Sequence, residues 1–225
     1  MVVEDQESSG FQQSIMFEPT LSATGHRIGW IALAPNGIQH ILMDDKDLTL
    51  GSTNGPAAAS KRLQCLNFSP NLAHFAYLEG QSLVLDGTAL PGVLPGTGYV
   101  FSPDGNHLGY PASIENQNCF VVDGKIIAKN AFGVNFAFFS PDNQHIIFIS
   151  QGSVPGSRDN RKVFVDGKMV THYNEIGGAL SAVFEFGPDG ALMFASLTDD
   201  NFRRFHISMP AGTLSALLAA SPAAK

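Results

Sequence analysis

Three histidines share one slot in this sequence. His74, His107 and His145 each lie five residues after a serine, Ser69, Ser102 and Ser140, and His26 stands near a related position. Imidazoles in such number could suggest a metal centre. Zinc ligands, however, must all reach within about 2.0–2.1 Å of one ion, whereas equivalent slots in successive repeats are carried apart by the repeat itself. The spacing predicts strand-start residues copied with a repeat and no metal. No Cys-x-x-Cys, His-Glu-x-x-His or EF-hand loop occurs.

Carboxylates are the second source of chemistry. Glu18 and Glu185 fall on the predicted innermost strands of the first and last repeats. Two carboxylates facing one cavity could run acid–base glycoside cleavage, so a glycan-active hydrolase using Glu18 and Glu185 is the alternative to a chain without catalytic residues. The other inner positions, Asn67, Val100 and Phe138, are neutral, which favours solvated glutamates and no catalysis. Asp104, Asp142 and Asp189 recur with the repeat, as do Asp86, Asp123 and Asp166, and turn chemistry accounts for them. Asp44, Asp45 and Asp47 read as a solvated turn. Neither a Gly-x-Ser-x-Gly elbow nor a Gly-rich phosphate loop is present, and nothing calls for a cofactor.

These residues are positioned by an internal repeat. Asn67-Phe-Ser-Pro-Asn, Val100-Phe-Ser-Pro-Asp-Gly, Phe138-Phe-Ser-Pro-Asp-Asn and Glu185-Phe-Gly-Pro-Asp-Gly are four copies, and Thr20-Leu-Ser-Ala-Thr-Gly is a fifth. Their anchors, Ser22, Ser69, Ser102, Ser140 and Gly187, are separated by 47, 33, 38 and 47 residues. An apolar–small–aromatic step follows most anchors, as in Phe75-Ala-Tyr77 and Leu108-Gly-Tyr110. A third apolar run then ends in Asp-Gly, at Asp86, Asp123 and Asp166. Asp-Gly between apolar runs is a strong hairpin signal. Four strands and three tight turns per repeat predict an all-β chain, a β-propeller of five four-stranded blades. A β-sandwich would not explain one motif returning five times. The large apolar residue before each anchor (Leu21, Phe68, Phe101, Phe139, Phe186) is expected to fill the gaps between blades.

The Phe-Ser-Pro-Asp-Gly…Tyr…Val-Asp-Gly-Lys pattern resembles the TolB-like, WD-like propeller repeats of bacterial proteins, over residues from about 17 to 209. That resemblance implies the propeller fold and an extracytoplasmic setting. It implies no particular function, since such repeats serve many roles.

Composition agrees with a packed β protein: 225 residues, 44% hydrophobic, 15% charged, with 23 Gly and 13 Pro. The formal charge of −7 argues against nucleic acid as partner. No apolar run approaches the roughly 20 residues of a membrane span, and the acidic start, Met1 to Glu7, does not read as a signal peptide. Cys65 and Cys119 sit in apolar runs and read as buried thiols.

Departures from the repeat point to binding. The insertion from Gln151 to Arg161 is the longest between second and third strands, and Arg158, Arg161 and Tyr173 are residue types that anchor interfaces. The expected protein is a non-catalytic scaffold or binding module for a protein or glycan partner, and a monomer. Residues 1–210 would form the propeller, with part of residues 2–13, or else Thr213–Ala219, supplying the last blade's outer strand. Residues 211–225 would be an Ala-rich tail or linker, frayed over Ala219 to Lys225.

Overall fold

The computed structural model describes residues 19–22, 24–33, 39–44, 46–48, 64–94, 98–134, 136–151, 161–173, 183–198 and 201–224. Within them the chain forms five antiparallel sheets, one per repeat, each a sequential meander. This is a β-propeller, and each sheet is a blade. By backbone contacts the chain divides into two compact units, residues 1–89 and 90–225.

The first unit holds two four-stranded blades. One contains β1 (Thr20–Leu21), β2 (Ile28–Leu33), β3 (Gln39–Met43) and β4 (Lys46–Asp47). The other contains β5 (Gln64–Phe68), β6 (Phe75–Glu79), β7 (Ser82–Leu85) and β8 (Thr88–Ala89). Ile41 and Met43 of the first pack on Leu72, Phe75, Tyr77 and Val84 of the second, with Phe68 against the cluster. Gly29 lies on the Phe68 ring, where a Cβ would come within 2.9 Å of its carbons, so only glycine fits that contact.

The second unit holds three blades. The first has β9 (Val100–Phe101), β10 (Leu108–Ile114), β11 (Gln117–Val122) and β12 (Lys125–Lys129). The next has β13 (Phe136–Phe139), β14 (Ile146–Gln151), β15 (Arg161–Val165) and β16 (Lys168–Tyr173). The last has β17 (Val183–Phe186), β18 (Leu192–Thr198) and β19 (Asn201–Ile207). Four blades therefore carry the expected four strands; the last has three among the described residues. A stack of rings joins two neighbouring blades: Phe120 lies 4.4 Å from Phe148, which in turn lies 4.8 Å from Phe164 of its own blade. Burying each such ring contributes about 2–3 kcal/mol. The expected inter-blade slot holds for Phe68, Phe139 and Phe186, which join core clusters. It fails for Leu21, which is 62% exposed.

The Asp-Gly hairpins close as the sequence predicts. Asp86, Asp123 and Asp166 and the glycines after them all have positive φ, between 48° and 81°. Two consecutive left-handed residues make a type I′ turn, whose twist matches the flanking strands.

Two expectations are corrected here. Cys65 is exposed, because β5 is irregular between Gln64 and Asn67 and Cys65 takes a φ of 52°. Cys119 is buried. The Ala-rich tail is neither a frayed linker nor a strand over Thr213–Ala219: it forms α1 (Leu214–Ala220), capped by the Thr213 hydroxyl, which accepts the Ala216 N–H at 3.2 Å. Leu214 is 1% exposed among Phe120, Phe139 and Phe164, with Leu217 and Leu218 beside it. Leucines at i, i+3 and i+4 share one helix face, and burying that face holds the segment in place. The chain then runs along β12, where Ile126 N–H donates to Pro222 at 2.8 Å and Ala224 N–H donates to Gly124 at 2.7 Å. Residues 2–13 lie outside the described residues.

Candidate functional site

The recurring serines, histidines and aspartates form one network, repeated in three blades. Ser69, Ser102 and Ser140 are 0–2% exposed. Each hydroxyl accepts the backbone N–H of the histidine five residues on, at 2.9, 3.0 and 2.9 Å. The imidazole Nδ1 of His74, His107 or His145 then meets the Asp-Gly carboxylate of Asp86, Asp123 or Asp166 at 2.6, 2.6 and 2.7 Å. The second oxygen of each carboxylate accepts the N–H that follows the histidine, from Phe75, Leu108 and Ile146.

Serine, histidine and aspartate together invite comparison with a hydrolytic triad, but the connectivity differs. Nucleophile activation requires the imidazole ring to accept the serine proton. Here the serine meets the histidine's backbone, and its own proton goes elsewhere: Ser69 donates to Asn71 and Ser140 donates to Asp142. The set ties the turn that opens each blade to the hairpin between its third and fourth strands.

The first repeat makes the same tie with Arg27, whose Nε donates to Asp44 at 3.1 Å and whose Nη1 donates to the Leu72 carbonyl. Asp44 is held below the usual carboxylate range by the Ile28 N–H, partly opposed by burial, with Arg27 adding to it. In the last repeat Gly187 replaces the serine and the turn is shorter, with Gly187 N–H donating to Ala191. His206, from β19, supplies the imidazole instead, its Nε2 lying 3.1 Å from Asp189.

Glu185 is exposed on β17. In register it stands opposite Met193 of β18, which stands opposite His206 of β19; Ala195 and Arg204 form the next row. The other face carries Phe184, Phe186, Leu192, Phe194 and Phe205 and packs on Ile147, Val163 and Val165 of the preceding blade. A cavity of about 460 Å³ lies over Glu185, Met193, Ala195, Arg204 and His206, with Phe194 and Phe205 also lining it. Glu185 is the single carboxylate among its described lining residues. Glu18 lies outside the described residues.

Of the expected partner-binding residues, Arg161 begins β15 and is half-buried opposite Tyr173. Tyr173 is corrected: it is 3% exposed, its ring 5.7 Å from that of Phe194, in the core between two blades. Strand alternation accounts for this, since Tyr173 shares the face of Thr171 and Val163 that turns to the last blade. Arg158 lies outside the described residues. Tyr110 is a buried titratable group, 1% exposed, and burial together with the Asp123 charge pushes its pKa up to about 12. Among the described residues no three of His, Cys, Asp and Glu are grouped to hold a metal ion, and no helix is long and apolar enough to cross a membrane.

Neither a family model nor a curated protein matches the chain. Solved structures do. A eukaryotic initiation factor structure matches at 15% identity over 86% of this chain and 53% of its own, with a TM-score of 0.52. TolB from Acinetobacter baumannii matches at 15% identity over 88% of this chain and 55% of its own, with a TM-score of 0.40. Prolyl oligopeptidase B from Galerina marginata matches at 14% identity over 86% and 37%, with a TM-score of 0.46. The chain spans less than two thirds of each of these proteins, and at such identities the likeness concerns the fold alone.

Proposed function

We propose that this chain is a non-catalytic β-propeller module that binds a protein or glycan partner. One observation carries the reading: the residue types able to do acid–base or nucleophilic chemistry recur in slots where they hydrogen-bond within their own blade. Ser69, Ser102 and Ser140 are buried, and His74, His107 and His145 each face an aspartate. Binding would draw on the insertion that ends at Arg161 and contains Arg158. Replacing residues 154–160 with a short Gly-Ser turn should abolish partner capture; capture at wild-type strength removes that surface from the reading.

The exposed position of Glu185 beside a cavity supports a second reading, a glycan-active hydrolase. Screening polysaccharides with the wild type and with a Glu18→Gln, Glu185→Gln double variant separates the two. No hydrolysis by either protein is the expected result. Hydrolysis by the wild type that disappears in the double variant overturns the binding reading.

A further inference from the structure

The geometry points to the outer edge of β19 as a docking edge for an acidic, extended peptide of a partner protein, added to the last blade as a further strand. The inference rests on the binding-module reading and names the chemistry of the partner.

Among the described residues β19 pairs only with β18, while the third strand of every other blade is paired on both sides. Within the described residues its outer edge therefore carries a row of backbone donors and acceptors that an incoming strand can pair with. β19 has 7 residues, Asn201–Ile207, long enough for several ladder bonds. It is also basic within an acidic chain. Arg203, Arg204 and His206 are exposed, although Asp and Glu outnumber Lys and Arg by 20 to 13 in the whole sequence.

Period-2 alternation turns the pattern into a specificity. Arg204 and His206 lie two residues apart on the cavity face, so residues of an added strand that stand opposite them also lie two apart on that face. Carboxylates there would meet the Arg204 guanidinium and, at its second ring nitrogen, the His206 imidazole whose Nε2 already faces Asp189. The intervening residues would fall on the face of Arg203, Phe205 and Ile207, where the two apolar side chains favour apolar partners. The partner sequence is therefore acidic at alternate positions with apolar residues between. A second copy of this chain fits worse, because antiparallel pairing of two β19 strands about their centre sets Arg204 against itself, and like charges directly opposite destabilise a sheet.

The probe is a seven-residue peptide alternating Glu and Val, fluorescently labelled and titrated with the full chain by anisotropy. Saturable binding is expected, weakened about tenfold between low and 0.3 M salt. Arg204→Glu should weaken it by a similar factor, with an unchanged melting curve because the side chain is exposed. A Lys–Val peptide should not bind. A Glu–Val peptide N-methylated at alternate residues should not bind either, because it cannot form the ladder. Equal binding of the Glu–Val and Lys–Val peptides, retention by the methylated peptide, or no binding by the full chain overturns the inference. So does binding that appears only when residues 1–12 are removed, since the chain's own Glu4, Asp5 and Glu7 carry the same chemistry. A partner captured equally well by wild type and Arg204→Glu would overturn this edge while leaving the binding-module reading intact.

Discussion

His145 and Asp166 face each other at 2.7 Å, with side chains 7% and 16% exposed. Two other blades make the same contact in wetter settings. His107 and Asp123 are 23% and 32% exposed, and His74 and Asp86 are both 40% exposed. The three blades thus form a graded series of one interaction. Removing a partner from a buried polar pair strands the other, at about 1–3 kcal/mol, whereas an exposed pair is worth about 0–1 kcal/mol. Urea unfolding of the three His→Ala variants should rank their losses as His145, then His107, then His74. A loss for His74→Ala as large as that for His145→Ala would show that burial does not set the scale.

Acid should loosen these turns by a separate route. Asp142 is held below the usual carboxylate range mainly by the Ser140 hydroxyl, against burial, with the Gln144 N–H assisting. Asp44 is lowered chiefly by the Ile28 N–H. A carboxylate depressed in the folded state binds fewer protons there than in the unfolded chain at a given pH. Its stabilisation is therefore full above the ordinary carboxylate value near 3.8 and is lost as the pH falls through the depressed folded value. Urea midpoints should be flat above about pH 5 and fall below about pH 4. In Ser140→Ala, NMR titration should show Asp142 protonating at a higher pH than in the wild type.

The two hairpin glycines Gly167 and Gly124 should respond differently to alanine. Both have positive φ, 77° and 71°. At Gly167 a Cβ would stand 2.1 Å from the Ile127 carbonyl oxygen, whereas at Gly124 nothing lies within 4 Å. Gly124→Ala should cost about 1 kcal/mol, the left-handed penalty alone. Gly167→Ala should cost at least about 2 kcal/mol, because backbone must move as well. Equal melting temperatures for the two variants would contradict this.

Leu214→Ala should destabilise by about 2–5 kcal/mol, the range for a buried leucine. Hydrogen exchange at Ile126, whose N–H donates to Pro222, should quicken in the same variant. Unchanged protection at Ile126 would mean that the strand-like contact at residues 222–224 holds without the helix.

The blade repeat was legible because turns are local. A Ser-Pro-Asp-Gly or Asp-Gly segment states its own backbone conformation, and five copies state it repeatedly. The link between His74 and Asp86, 12 residues apart, was not read, although both slots recurred in step and that joint recurrence was the available signal. Arg27 in the same slot showed that a donor, rather than an imidazole, is what the position requires. Residue type alone points Tyr173 to an interface, whereas strand parity turns it into the core. The helix was missed because alanine-rich composition hid the Leu214, Leu217 and Leu218 stripe. Glu185 was placed on its strand, but its cavity depends on side chains from β18 and β19, which no local pattern brings together.

The contact between residues 222–224 and β12 also sets an order of events. Lys125 and Ala223 are bridged although about 100 residues of chain separate them. On a ribosome, β12 is made early and its outer edge stays uncovered until the segment around Ala223 emerges. During that interval the slot that receives Leu214 is open as well, so the nascent chain presents both an unpaired strand and an apolar site. A chaperone acting in that interval would find an apolar, strand-edged surface on this blade.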